Sequence, residues 1–516
     1  MKKSLLNVTI AILFKILYFV GGFLVRRYLI RFLGNEINGL NSLYISIIGV
    51  LSVAELGIGS AITYCMYKPI VEGDVHKVSA LYNLIKKMYI VIGIVIGVAG
   101  CAMIPILPYL AKGYRQIGAN LYLTFALTLV STVLTYFYNS KISLMNAYRD
   151  DYIATTITSS GQILQQILQI VVLFTTKSFI WYLGIAIISV VVIWIITEIV
   201  SRKRYYFSDI NNKRYKIDKE TKVEVVKNIK ARFSHGVGGV LVNTIDSLVI
   251  SAFIGVNMLG KYSNYSTIII SLQSILIMFF TPLTSTIGHL FVKDKIEAKK
   301  YYNFFCSFNF IIGCVFFLGY YSIADNIVVL FFGEGLGLGK TVVLIITLNR
   351  FIQFMRQTTL LFRDASGTFY YDRWKPYLEG FTNLLLSIIF VLFFKSTFGE
   401  EFAVAGVLVA TIVTNIFICH IAEPYVLHKY AFNCSMKRYS LRNYGCIILF
   451  TGLLFLLDAC MLQISNSWLE LLANGSIAVG ISLIPISSVF IFDKDFRHFA
   501  GNILRKIKIK LKGSKT

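Results

Sequence analysis

The chain has 516 residues, of which 56% are hydrophobic and 15% charged, with a formal net charge of +24 and a mean hydropathy of +0.70. The apolar share, about 289 positions, excludes a water-soluble globular domain and the disordered and collagen-like classes. At about 20 apolar residues per spanning helix, it supplies roughly 14 spans of an all-α integral membrane protein. An outer-membrane barrel is excluded as well, because its strands alternate apolar and polar residues, whereas this chain runs predominantly apolar for 18 or more residues, as over 179–199.

The apolar runs predict helices near 9–30, 43–64, 89–110, 121–139, 154–174, 179–199, 236–256, 266–287, 304–324, 341–362, 380–398, 402–420, 444–463 and 473–492. The first has a basic start but no small-residue cleavage site, so it is expected to be a retained helix and not a signal peptide. Within it Lys15, Gly22 and Arg26 recur at i, i+7 and i+11, which at about 100° per residue aligns them in one cationic stripe. A charge at a helix centre costs about 2.5 to 3.5 kcal/mol on insertion scales, so such residues must face a partner or an aqueous cavity. Snorkelling to the interfaces is the bland alternative for Lys15 and Arg26.

In the second helix the run Glu55-Leu-Gly-Ile-Gly59 carries a carboxylate, and in the fifth Gln162, Gln165, Gln166 and Gln169 form an amide stripe at i, i+3, i+4 and i+7. Such amides can bond sugar hydroxyls or join helices. The basic segment from Arg202 to Arg232 follows, with 11 Lys and Arg. The seventh helix carries Arg232, His235, Gly239, Asn243 and Asp246 on one stripe; Asp246 has no Lys or Arg within one turn and suits a coupling-ion or proton site. Arg350 sits mid-span in the tenth helix with Gln353 and Gln357 on its face, and Asp458 in the thirteenth is a weaker candidate.

An internal repeat relates the two halves. Val20-Gly-Gly-Phe-Leu-Val25 returns as Val237-Gly-Gly-Val-Leu-Val242 at an offset of 217, and the pattern Gly34, Gly39, Ser42, Tyr44 returns as Gly255, Gly260, Ser263, Tyr265 at an offset of 221. Six spans separate the copies, so the repeat is parallel. The expected organisation is a six-helix lobe over 1–200, a basic cytoplasmic linker over 201–232, a second six-helix lobe over 233–420, two further helices over 421–492 and a basic tail over 493–516. Substrate is expected between the lobes.

With the N-terminus inside, most of the 50 Lys and Arg fall in cytoplasmic segments, which puts both termini in the cytoplasm. The basic linker and tail then read as anchors on anionic lipids, and neither is long enough for a nucleic-acid-binding surface. The eight Cys lie singly, with no C-x-x-C pair, and the six His show no ligand spacing, so no disulfide, metal or cofactor is expected. The string Gly333-Glu-Gly-Leu-Gly-Leu-Gly-Lys-Thr341 imitates a phosphate loop but has Glu334 where glycine is required. Nothing argues for an enzyme.

The segments Gly39-Leu-Asn-Ser-Leu-Tyr44 leading to Glu55-Leu-Gly-Ile-Gly59, Asp246 through Gly255 to Gly260-Lys-Tyr-Ser263, and Ala365-Ser-Gly367 with Asp372-Arg-Trp-Lys-Pro376 and Asn383 resemble, in order, a polysaccharide flippase of the multidrug/oligosaccharidyl-lipid/polysaccharide exporter superfamily. The resemblance implies a two-lobed translocase in the bacterial cytoplasmic membrane. It would move undecaprenyl-diphosphate-linked oligosaccharide units outward through a cationic cavity, alongside polysaccharide polymerase and chain-length machinery. Lys15, Arg26 and Arg350 would then meet the diphosphate; Asn243, Gln162, Gln165, Gln166, Gln169 and Gln353 would meet the sugars; Asp246 and Glu55 would serve a coupling ion. Two other readings are an ion-coupled exporter of cationic drugs, which wants an anionic cavity, and a membrane polymerase or acyltransferase, which wants large outer loops or a catalytic histidine.

Overall fold

The computed structural model describes residues 2–55, 57–205, 244–280, 283–464, 467–494 and 496–501, with single positions between 206 and 243. Among these residues all regular structure is helical. The first compact unit comprises Met1–Ser263 and the second Asn264–Thr516. The linker expected over 201–232 lies almost wholly outside the described residues, as does the Val237–Val242 copy of the first repeat element.

In the first unit the helices are α1 (Lys2–Leu33), α2 (Asn35–Leu51), α3 (Ile58–Glu72), α4 (Val75–Leu110), α5 (Leu121–Ala147), α6 (Asp151–Thr176), α7 (Phe179–Arg204) and α8 (Thr244–Ile254). The starts of α4 and α5 carry capping residues that satisfy orphan N–H groups. Asp74 accepts from the Lys77 amide at 2.9 Å and Asn120 from the Leu123 amide at 3.1 Å. α1 packs along α6, and α5 packs against α4 and α7. The helix α9 (Val256–Phe280) begins here and runs into the second unit, where α10 (Leu283–Lys293), α11 (Lys295–Phe332), α12 (Lys340–Met355), α13 (Gln357–Ser366), α14 (Lys375–Phe398), α15 (Glu400–Ala431), α16 (Lys437–Cys460) and α17 (Ser467–Phe492) follow.

Nine helices among the described residues are long and apolar enough to cross a membrane: α4 to α7, α11 and α14 to α17. All fourteen predicted spans meet helical structure among the described residues; the span over 266–287 takes in parts of both α9 and α10, and two others are broken within described residues. The span expected over 43–64 divides into α2 and α3 at a 3-10 turn, Ser52–Glu55, and at Gly57, whose φ of 81° is left-handed. The span expected over 341–362 divides at Arg356, whose amide bonds to the Gln353 carbonyl at 3.3 Å while its side chain is drawn to three partners described below. Hydropathy averages over such breaks, so the pattern alone reads each pair as one helix.

The second repeat element has a structural meaning. Gly34 (φ 91°) and Gly255 (φ 143°) occupy the same junction before α2 and α9, in backbone conformations that only glycine adopts readily. A Cβ on Gly39 would lie 1.8 Å from the Val256 carbonyl oxygen, and one on Gly260 would lie 2.4 Å from the Asn35 carbonyl oxygen. The two copies thus pack on each other, backbone to backbone, at equivalent glycines. Asn35 donates to the Asn257 carbonyl at 2.8 Å and Asn38 to the Gly260 carbonyl at 3.2 Å, closing the crossing with polar bonds.

The repeated tyrosines also match. In the first unit Tyr44 donates to the Leu121 carbonyl at 2.9 Å, at the start of α5. In the second, Tyr265 accepts from the Leu338 amide at 3.2 Å, just before α12, and donates to Asp325. Each tyrosine therefore tethers the fourth predicted helix of its half, as a duplication requires.

Replacing Gly39 or Gly260 with alanine should destabilise the protein by about 3 kcal/mol or more, since a methyl group would be forced into backbone. Gly184→Ala in α7, with open space around it, should be neutral or slightly stabilising. Thermal melting of the detergent-solubilised protein checks both; equal melting temperatures for Gly39→Ala and Gly184→Ala would contradict the crossing.

Candidate functional site

The first unit contains a cavity of about 340 Å³ enclosed by α1, α2, α5, α6 and α7. Helix α1 contributes Tyr18, Gly22 and Arg26, α2 contributes Asn38 and Asn41, and α5 contributes Thr128, Ser131 and Thr132. All four glutamines of the α6 stripe line it, and Tyr182 enters from α7. Among the described lining residues there is one cation and no carboxylate. The remaining polar groups are amides and hydroxyls.

Arg26 is held in place by the glycine crossing. Its Nη1 donates to Ser263 Oγ at 2.9 Å, while Ser263 donates to the Gly260 carbonyl at 2.9 Å. Asn38 reaches the same hydroxyl at 3.4 Å. The repeated serine is thus the residue that positions the guanidinium at the cavity wall.

The amide stripe divides by role. Gln169 donates to the Tyr182 carbonyl at 3.2 Å and is buried, so it joins α6 to α7. Gln166 donates to the Tyr18 carbonyl at 3.0 Å, and its Oε1 is a buried acceptor with no hydrogen-bond partner among the described residues. Gly21 makes room for that side chain: a Cβ there would stand 2.1 Å from Gln166 Oε1. Gln162 and Gln165 remain as cavity-facing amides. Half of the stripe therefore serves helix packing, the alternative that amides in apolar helices always carry.

Other sequence-derived candidates lie elsewhere. Lys15 is outside the cavity lining, with its ammonium 5.8 Å from the Phe19 ring centroid. Arg350, in the second unit, is buried and donates to Gln353 at 3.3 Å, and Gln353 donates to Asn349 at 3.1 Å. These bonds run along one helix. Glu55 ends the 3-10 turn and is hydrogen-bonded to Tyr136. Asp246 is buried on α8 and engaged, and Asp458 accepts from Tyr321 at 2.6 Å. Asn243 lies outside the described residues.

The largest buried charge assembly was not anticipated. Arg356 meets Glu423 at 2.5 Å, Glu379 at 3.0 Å and Asn415 at 2.6 Å, and Lys375 lies 2.6 Å from both carboxylates. Two cations thus face two carboxylates. Only the Lys375–Glu379 pair, at i and i+4, is visible as a local pattern; Glu423 is 67 residues from Arg356.

A family profile described as "Polysaccharide biosynthesis protein" matches residues 4–287, more than half of the chain. The chain belongs to that family. Its fold is shared with a multidrug resistance MATE family transporter of the MOP superfamily in an inward-facing conformation, at a TM-score of 0.63 and 15% identity over 83% of this chain and 100% of the other. The lipid II flippase MurJ in an inward closed conformation matches at a TM-score of 0.63 and 14% identity, over 94% and 99%. The Vibrio cholerae MATE transporter VcmN, as a D35N mutant, matches at 0.51 and 13% identity over 83% and 99%. At these identities the likeness is one of fold. Among curated proteins no relative matches. The protein is a multi-pass membrane protein of the polysaccharide biosynthesis family and shares the fold of these transporters.

The two arginines should respond differently. Arg356→Ala leaves a buried carboxylate uncompensated and should cost about 3 to 5 kcal/mol, read as loss of the monodisperse peak on size exclusion. Arg26→Ala opens space at a cavity wall and should leave that peak intact. The reverse pattern would contradict the assignment of Arg356 to the fold and Arg26 to the cavity.

Proposed function

We propose that this protein is a flippase for lipid-linked oligosaccharide, taking undecaprenyl-diphosphate-bound repeat units from the cytoplasmic to the outer leaflet for surface polysaccharide assembly. The observation that carries the reading is the composition of the cavity wall: one guanidinium, amides and hydroxyls, and no carboxylate among the described lining residues. The fold is common to transporters as different as a multidrug resistance protein and a lipid II flippase, so the wall chemistry has to discriminate. A cationic drug would meet Arg26 as a like charge. A diphosphate would meet it as a charge-assisted, bidentate partner.

The physics of the task agrees. A diphosphate cannot enter hydrocarbon bare, since an unpaired ion there costs many kcal/mol. Arg26 offers a counter-charge, Gln162 and Gln165 offer donors and acceptors to sugar hydroxyls, and the unpartnered Oε1 of Gln166 would accept from one. Lys15 and Arg350, outside this wall, are not part of the proposed ligand set. The polyprenyl chain stays in lipid. Alternating access between the lobes would carry the headgroup across with no covalent step. The excess of Lys and Arg in alternate connecting segments supports cytoplasmic termini in a bacterial cytoplasmic membrane. Asp246 and Glu55 are the carboxylates we assign to a coupling ion.

In cells lacking the protein, undecaprenyl-diphosphate oligosaccharide should accumulate on the cytoplasmic face and surface polymer should disappear. Arg26→Ala should lower export by about tenfold to a hundredfold, the loss of one charge-assisted contact, with normal protein levels. Unchanged sidedness in the deletion would overturn the flippase reading; unchanged export by Arg26→Ala would overturn only the residue. Asp246→Asn should abolish dependence of export on the ion gradient while leaving headgroup binding intact, and a gradient-independent wild type would remove that role.

A further inference from the structure

The turn between α13 and α14 and the end of α15 build a second surface in the second unit, from residues that the transport site does not use. Its base is the buried charge assembly together with Arg363, which donates to Asp372 at 2.8 Å. Buried ion pairs add little net stability, because desolvation offsets their attraction. What they do provide is a fixed position, here for the turn 368–374 against residues 427–431.

The outward side of that turn is aromatic and exposed. Trp374 is 71% exposed, and Tyr371 stacks on Tyr430 with ring centroids 3.9 Å apart and planes 4° from parallel, which joins the turn to α15. Two cations lie beside these rings and have no carboxylate partner among the described residues. The Arg373 guanidinium lies 4.3 Å from the Tyr370 centroid and donates to the Tyr370 carbonyl at 3.3 Å, and the Lys429 ammonium donates to the Tyr425 hydroxyl at 2.8 Å and lies 5.4 Å from the Tyr430 centroid. Both segments fall on the side that the distribution of basic residues assigns to the cytoplasm.

A Trp and Tyr surface that carries two cations without counter-ions has the chemistry of the membrane–water boundary: rings settle at headgroup level, and the cations complement phosphate. We propose that this surface binds an anionic phospholipid headgroup of the cytoplasmic leaflet, with Arg373 and Lys429 on the phosphate and Trp374 seated between headgroup and acyl chain. An exposed indole and a preformed base give this site a fixed geometry.

The test uses the full chain with Trp181, Trp194 and Trp468 replaced by Phe, so that Trp374 alone reports, reconstituted in phosphatidylcholine vesicles. Brominated phosphatidylglycerol should quench Trp374 with an apparent affinity at least about fivefold above that of brominated phosphatidylcholine, since each cation near an anionic surface contributes a factor of that order. Arg373→Gln with Lys429→Gln should bring the two lipids to parity. Equal quenching by both lipids in the parent chain would overturn the proposal. So would a response confined to added undecaprenyl phosphate, which would mark the surface as a substrate entry point. If the Trp-depleted chain does not purify, native mass spectrometry of the otherwise wild-type protein gives the same comparison: retained phosphatidylglycerol should fall in the double variant, and equal retention would overturn the site.

Discussion

The backbone of α2 lies directly on the backbone of α9 at Gly39 and Gly260, and that contact admits no Cβ on either residue. The geometry of the cavity wall at Arg26 follows from it. The close approach brings Ser263 to Arg26, and so fixes the only guanidinium among the described lining residues at the cavity wall. Asn35 and Asn38 lock the same crossing from α2. An arginine amid apolar helices is tolerated only where partners or an aqueous cavity surround it. Here Arg26 donates to the Ser263 hydroxyl, which orients the side chain at the cavity wall.

The second unit treats its charges differently. Arg356 and Lys375 are matched against Glu379 and Glu423 in a closed, balanced set. Such a set has no charge left over for a ligand; it fixes α12, α14 and α15 and the turn above them. Arg26 beside a hydroxyl at a cavity wall and Arg356 and Lys375 against two carboxylates are thus different environments for a buried positive charge.

Much of the fold was legible in the sequence because membrane helices report themselves through length and hydropathy, and because the repeat left Gly34, Gly39, Ser42 and Tyr44 matched with Gly255, Gly260, Ser263 and Tyr265. The sequence could show that these positions correspond, but not that they touch. Contact between residues 221 apart is a property of packing and has no periodic trace. The α6 glutamines and Arg26 were legible as polar residues in apolar helices, and the structure brings them to one wall. That Gln166 and Gln169 spend their donors on the Tyr18 and Tyr182 carbonyls was not legible, since those partners lie on other helices. Arg350 stood out for its central position, yet it bonds to Gln353 on its own helix and lies outside the cavity wall, while Arg356, six residues on, organises the charge network through partners scattered to residue 423.

The central claim is that the Arg26 wall selects an anionic headgroup. Binding of undecaprenyl-diphosphate oligosaccharide and of a lipophilic organic cation to the purified protein, each with and without Arg26→Gln, tests it most directly. The account predicts binding of the diphosphate lipid that falls by tenfold or more in the variant, and weak cation binding that rises when the arginine is removed. Tight cation binding to the wild type, with diphosphate affinity indifferent to Arg26, would contradict it.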